Sequence, residues 1–69
     1  MRLEMKADVK KLRLAMARAC MNSQDLARAA DIPPQTINAF IRGRGARPAT
    51  IGRIAKALGV DITEITKEE

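Results

Sequence analysis

Few side chains in this sequence could do covalent or metal chemistry. There is one cysteine, Cys20, and no histidine. An internal disulfide is excluded, and a zinc site, which needs several Cys or His ligands, is not expected. No serine or cysteine stands beside a base, and no paired carboxylates are evident in a chain of 69 residues. Catalysis is therefore not expected, and no cofactor is implied. Cys20 reads as a small, partly buried filler. What the sequence does concentrate is charge of one sign. From Ile32 to Val60 there is no acidic residue, while Arg42, Arg44, Arg47, Arg53 and Lys56 all lie in that span. The whole chain carries 13 Lys+Arg against 8 Asp+Glu, a formal charge of +5. A one-signed stretch raises the local positive potential and attracts polyanions. The plainer alternative is a solvated basic face without a partner.

The elements that would hold those cations can be read from start and stop signals. A chain this short is expected to form one domain over residues 1–69, burying about 60% of the surface that it exposes when unfolded. Hydrophobic residues make up 46% and charged residues 30%, which is a globular balance. With Phe40 the only aromatic, the core must be aliphatic. No apolar run approaches the roughly 20 residues of a membrane span and no signal peptide is visible, so a reducing cytoplasm is the expected location.

A first helix is predicted from about Lys6 to Cys20, with Val9, Leu12, Met16 and Ala19 on one face. Leu14 falls off that face and is expected to be exposed or to meet a partner. Residues 1 to 5 would be an extra turn or a frayed end. Asn22, with Asp25 three residues on, reads as a capping box opening a short second helix through Leu26 to Ala30. Asp31 suits the left-handed turn that follows. Pro33 and Pro34 stop that helix and start a third, because proline fixes φ near the helical value and lacks an N–H. The third helix would turn Ile37, Phe40 and Ile41 inward, with Gln35, Asn38 and Ala39 on the other side, and end at Gly43. A fourth starts at Pro48, packs Ile51, Ile54, Ala55 and Leu58, and ends at Gly59. Asp61 and Glu64 suggest a capping box for a short fifth helix that buries Ile62 and Ile65, before a loose polar tail, "TKEE". No useful alternating strand pattern occurs.

Two short helices joined by a tight turn form a helix-turn-helix. Ala27 is small enough for the helices to cross closely, Asp31 occupies the turn, and Ile37 packs the second helix back onto the first. The segments "MNSQDLARAADI", "QTINAFIRGR" and "IGRIAKALGVDITEI", in that order, resemble the phage-repressor and Cro-like, or XRE-type, helix-turn-helix regulators over roughly Val9 to Ile65. The resemblance implies an all-α, compact five-helix, lambda-repressor-like DNA-binding domain. Its helix-turn-helix would be helices 2 and 3, with the third helix in the DNA major groove, usually in a two-fold dimer.

Carried onto this sequence, the family's base-contacting positions are Pro34, Gln35, Asn38 and Ala39. Gln and Asn can bond an adenine edge bidentately, and Ala can meet a thymine methyl. Phosphate contacts fall to Asn22 and Ser23 at the start of the second helix, to Thr36, and to Arg42, Arg44 and Arg47. Arg53 and Lys56 read as solvated. The chain departs from the family at several points. Asp31 replaces the usual turn Gly, Pro33 the usual Ser or Thr cap, and Ser23 a frequent Gln. A frequent Arg–Glu pair falls on Met16 and Ile41, both apolar here, which are therefore expected to touch in the core.

The resemblance implies a double-stranded-DNA-binding transcriptional regulator, favoured as a repressor and acting as a homodimer; the sequence does not give the dimer contacts, and the surface around Val60 to Ile65 is taken as the expected one. The alternative is a protein-interaction module or antitoxin on the same fold, whose partner (a toxin or another regulator) would meet Leu14, Leu3 or Met5. The lack of stacking aromatics weakens an RNA-binding reading.

Overall fold

The first two helices begin at residues whose side chains cap them and the next two at prolines, and each ends at a residue that can reverse the chain. The computed structural model describes residues 5–67, the side chain of Met5 excepted. Strand β1 (Met5–Lys6) is followed by α1 (Val9–Arg18), α2 (Ser23–Ala30), α3 (Pro34–Ile41), β2 (Gly45–Ala46), α4 (Pro48–Leu58) and a 3₁₀ turn at Ile62–Glu64.

α1 starts later than the expected Lys6. The Asp8 carboxylate accepts the Lys11 N–H at 3.1 Å and fixes the N-terminus there. Lys6 is instead extended. β1 pairs antiparallel with β2, Met5 opposite Ala46 and Lys6 opposite Gly45, and Ala7 bridges to Thr66. This small sheet is an addition to the expected all-helical architecture. It ties the N-terminal segment to the basic loop and to the end of the chain.

Four helices end in the same way. After α1, Cys20 N–H bonds Ala17 O and Met21 N–H bonds Met16 O; after α2, Asp31 and Ile32 bond Arg28 and Ala27 likewise. Gly43 with Arg44, and Gly59 with Val60, repeat the pattern after α3 and α4. This is the Schellman arrangement, which needs one left-handed residue. Gly43 (φ 97°) and Gly59 (φ 71°) adopt it without strain, whereas Cys20 (φ 57°) and Asp31 (φ 56°) adopt it with a Cβ. Cys20 is thus an exposed turn residue and not the partly buried filler expected. Its neighbour Met21 packs against the core instead.

The expected fifth helix is only a 3₁₀ turn, so the structure has four α-helices among the described residues. Glu64 does accept the Asp61 N–H at 3.2 Å. One turn later, however, the backbone is taken up elsewhere: Ile65 O accepts the Asp8 N–H at 2.9 Å and Thr66 pairs with Ala7. Those bonds replace the ladder that a longer helix would need. Ile65 is fully buried, but Ile62 is only half-buried. Thr66 and Lys67 do not form a loose tail. Thr66 is buried and donates its hydroxyl to Ile62 O at 3.0 Å, and Lys67 N–H bonds Lys6 O at 3.1 Å.

The core runs through every helix: Leu12, Leu26, Ile37, Phe40, Ile51, Ile54 and Ile65 are its fully buried large side chains. Met16 is buried and Ile41 half-buried against the same cluster, on helices α1 and α3 that pack together. No polar side-chain atom is buried without a partner among the described residues, so the aliphatic core carries no unpaired polar cost.

Candidate nucleic-acid interface

The corner between α2 and α3 sets the geometry of the exposed surface. Asn22 and Asp25 open α2 with reciprocal bonds: Asn22 Oδ1 accepts the Asp25 N–H at 2.8 Å, and Asp25 Oδ2 accepts the Asn22 N–H at 3.1 Å. Ala27 on α2 is buried and Ile37 on α3 is fully buried. α2 and α3 pack directly on each other. Asp31 turns the chain, and Ile32 N–H closes the turn on Ala27 O at 2.9 Å. Pro33 is the extended residue before α3 (φ −57°, ψ 139°), and Pro34 is its first helical residue. The Pro33 carbonyl accepts the Thr36 and Ile37 N–H groups. With no side-chain cap available, the proline pair supplies rigidity in its place.

With Ile37 and Phe40 turned inward, the other face of α3 is left to solvent. Pro34, Gln35 and Asn38 are exposed, while Thr36 and Ala39 are half-buried. Gln35, Thr36 and Ala39 share one open concavity with Arg44, Gly45 and Ala46. The basic loop therefore curls back beside the outward face of α3. Its position is fixed at one end by Gly43 and Arg44 closing on Phe40 and Ala39, and at the other by β2 pairing with β1. The sequence reading missed that second tether, since two-residue strands leave no alternation to detect.

Arg42, Arg44 and Arg47 are all exposed. Among the described residues, none of Gln35, Asn38, Arg42, Arg44 and Arg47 spends its side chain on an internal hydrogen bond. All five side chains are exposed. Asn38 is on the same helix but does not line the concavity, and neither do Arg42 and Arg47. Asn22 and Ser23 lie at the start of α2. The Asn22 side-chain oxygen is committed to Asp25, which leaves only its NH₂ group to donate. Arg53 and Lys56 are exposed on α4.

Sequence reasoning overlooked Gln24 and Arg28. They are exposed, one turn apart on α2, and line a second concavity with Ala27, Ile32 and Pro34. Their i, i+4 spacing beside the corner was the available signal.

A third groove, of about 230 Å³, runs between α1 and the 3₁₀ turn, lined by Lys11, Leu14, Ala15, Arg18, Val60, Thr63 and Glu64. Leu14 is 52% exposed at its edge. Leu3 lies outside the described residues, as does the side chain of Met5. Nearby, the Thr63 hydroxyl donates to Asp61 and holds that carboxyl below its ordinary range. No cluster of three potential metal ligands occurs among the described residues, and no helix there is long and apolar enough to cross a membrane.

A family model described as helix-turn-helix matches residues 9–65. The chain belongs to that family, the XRE-type, Cro-like helix-turn-helix proteins. No curated protein matches it. Two solved structures are similar in fold. One, a mutant of hydroxyethylphosphonate dioxygenase, has a TM-score of 0.80 at 22% identity and covers 93% of this chain but 14% of its own. The other, Streptomyces albus HEPD with its substrate 2-hydroxyethylphosphonate and Fe(II) bound, has a TM-score of 0.72 at 28% identity, covering 81% of this chain and 13% of its own. This chain thus corresponds to a small part of each of those proteins.

Proposed function

We propose that the chain is a sequence-specific regulator that binds double-stranded DNA and reads the major groove with α3. The observation that carries this reading is the concavity shared by Gln35, Thr36, Ala39 and Arg44. It combines unspent hydrogen-bonding groups with an exposed cation, inside an acid-free stretch and on the outward helix of a helix-turn-helix. Gln35 and Asn38 would bond base edges, and Pro34 and Ala39 would make apolar contacts such as that with a thymine methyl. Asn22, Ser23, Thr36, Arg42, Arg44 and Arg47 would meet phosphates and so fix register.

Two protomers, joined through the surface around Val60 to Ile65, would place their α3 helices in successive major grooves about 34 Å apart. The protein would act without catalysis or cofactor, in the cytoplasm, and repress by occupying the operator. A gel-shift series across salt tests the reading. Steep salt dependence together with tighter binding of a selected duplex than of random DNA is expected; equal, weak binding of both would overturn it.

A second reading, a protein-interaction module or antitoxin on the same fold, draws on two observations. Leu14 is exposed beside a groove, and this fold occurs as a small part of the solved dioxygenase structures. Under that reading Leu14→Glu would abolish partner binding and leave any DNA affinity intact.

A further inference from the structure

We infer that Gln24 and Arg28 on α2 form a sugar-phosphate clamp that extends the DNA interface past Pro34, an inference that rests on the DNA-binding reading above. Gln24, Arg28 and Pro34 line one concavity, whose other lining residues, Ala27 and Ile32, are buried apolar side chains. An apolar floor with a guanidinium and an amide at its edge suits a deoxyribose ring and its phosphate. Arg presents a planar fork of donors that matches phosphate oxygens, and Gln adds an NH₂ donor. Pro34 is where α3 begins, and it has no donor to offer there. The clamp places polar groups beside the position at which the reading helix has none.

Arg28 has two ordinary explanations, and neither uses up its charge. It lies in the last turn of α2, where a cation complements the helix dipole. That interaction leaves the guanidinium donors in solvent. Asp25, three residues earlier, lines a shallow concavity with it and accepts the Asn22 N–H through one oxygen only; an exposed i, i+3 pair of this kind is worth little and would yield to a phosphate. Arg28 also faces the concavity from the α2 side, next to the same helix whose first residues, Asn22 and Ser23, are assigned to phosphate. A clamp there would continue a line of backbone contacts along α2.

The test uses the full chain and its Arg28→Ala and Arg28→Lys variants, a duplex selected from a random pool, and a random duplex, each over a salt series. A further set of selected duplexes carries one neutral methylphosphonate at successive backbone positions flanking the half-site. Arg28→Ala is expected to weaken both duplexes equally, about threefold or more, and to lower the salt slope by about 1. Arg28→Lys should keep most of the slope. One methylphosphonate should weaken the wild type and add nothing to Arg28→Ala. Unchanged binding by Arg28→Ala overturns the clamp, as does a loss confined to the selected duplex with the slope unchanged, which would make Arg28 a base reader. If the wild type does not prefer the selected duplex, the sequence-specific reading fails, while the salt slopes of the wild type and Arg28→Ala, which need no fixed register, still decide whether Arg28 holds a phosphate.

Discussion

Asn22 and Asp25 hold each other's backbone: each side chain accepts the other's N–H, at 2.8 and 3.1 Å. The bond pair closes the first turn of α2 and so sets where that helix starts beneath the corner. Asn22→Ala removes one of the two bonds and is expected to cost about 1 kcal/mol of stability, read as a lower midpoint in urea unfolding. Asn22→Asp restores the cap, so its stability should return. It also replaces the NH₂ donor with a carboxylate, so binding to any duplex should weaken. Full DNA affinity in Asn22→Asp would remove Asn22 from the phosphate contacts.

Cys20 and Asp31 both turn the chain with left-handed backbones, at φ 57° and 56°. Glycine relieves the Cβ clash there, worth about 1–2 kcal/mol for an ordinary residue, but gives back roughly 0.4–1 kcal/mol through a freer unfolded chain. Cys20→Gly should therefore raise stability by about 1 kcal/mol. Asp31→Gly should gain less, because aspartate tolerates this conformation better. A thermal melt in which neither variant gains would contradict the strain assigned to these turns.

These two residues also mark how far the sequence could be read. Asp31 was recognisable as a turn because the prolines after it stop the helix. Cys20 was not, since nothing distinguishes it locally from a helical residue. The faces of α3 and α4 were legible through Ile37, Phe40, Ile51 and Ile54, whose spacing repeats with the helix. The pairing of Met5 and Lys6 with Ala46 and Gly45 was not. It joins residues some forty positions apart, and strands so short carry no period. The same long-range pairing, through Ala7 and Thr66, cut the expected fifth helix to one turn. In the candidate interface, residue types indicated Gln35 and Arg44 separately. That they share a concavity depends on the tether from β1, which local pattern does not contain.

Asp61 is held below the ordinary carboxylate value of 3.8, chiefly by the Thr63 hydroxyl. A carboxyl whose folded pKa is depressed adds stability above its unfolded pKa and loses it as pH falls through the folded value. Thr63→Val should bring the Asp61 pKa back toward 3.8 and make the loss of stability below about pH 4 shallower. An NMR titration of Asp61 that is unchanged in Thr63→Val would show that the hydroxyl is not the cause.

Met16 and Ile41 occupy one core, buried and half-buried respectively, on two helices that pack together. Met16→Arg alone would bury an unpaired guanidinium and cost about 3 kcal/mol or more. Ile41→Glu alone should cost less, because that site reaches solvent. If the two side chains meet, the double variant will recover part of the sum as an ion pair. Strict additivity of the two losses in denaturant titrations would place them out of reach of each other.

Gln35 and Arg44 share a concavity but are proposed to read different parts of DNA, and substitution can separate them. A glutamine bonded bidentately to a base discriminates by about 1–3 kcal/mol. Gln35→Ala should therefore weaken the selected duplex by that amount, leave random DNA nearly unchanged and relax the preference at one base pair. Arg44→Ala should weaken both duplexes by a similar factor and reduce the salt slope by about 1, as loss of a phosphate contact does. The two residues line the same concavity, so a reversal of these patterns would exchange their roles without moving the interface: Arg44 would then be the reader, through the guanine edge that arginine favours. An equal loss on selected and random DNA for Gln35→Ala would remove it as a base reader altogether.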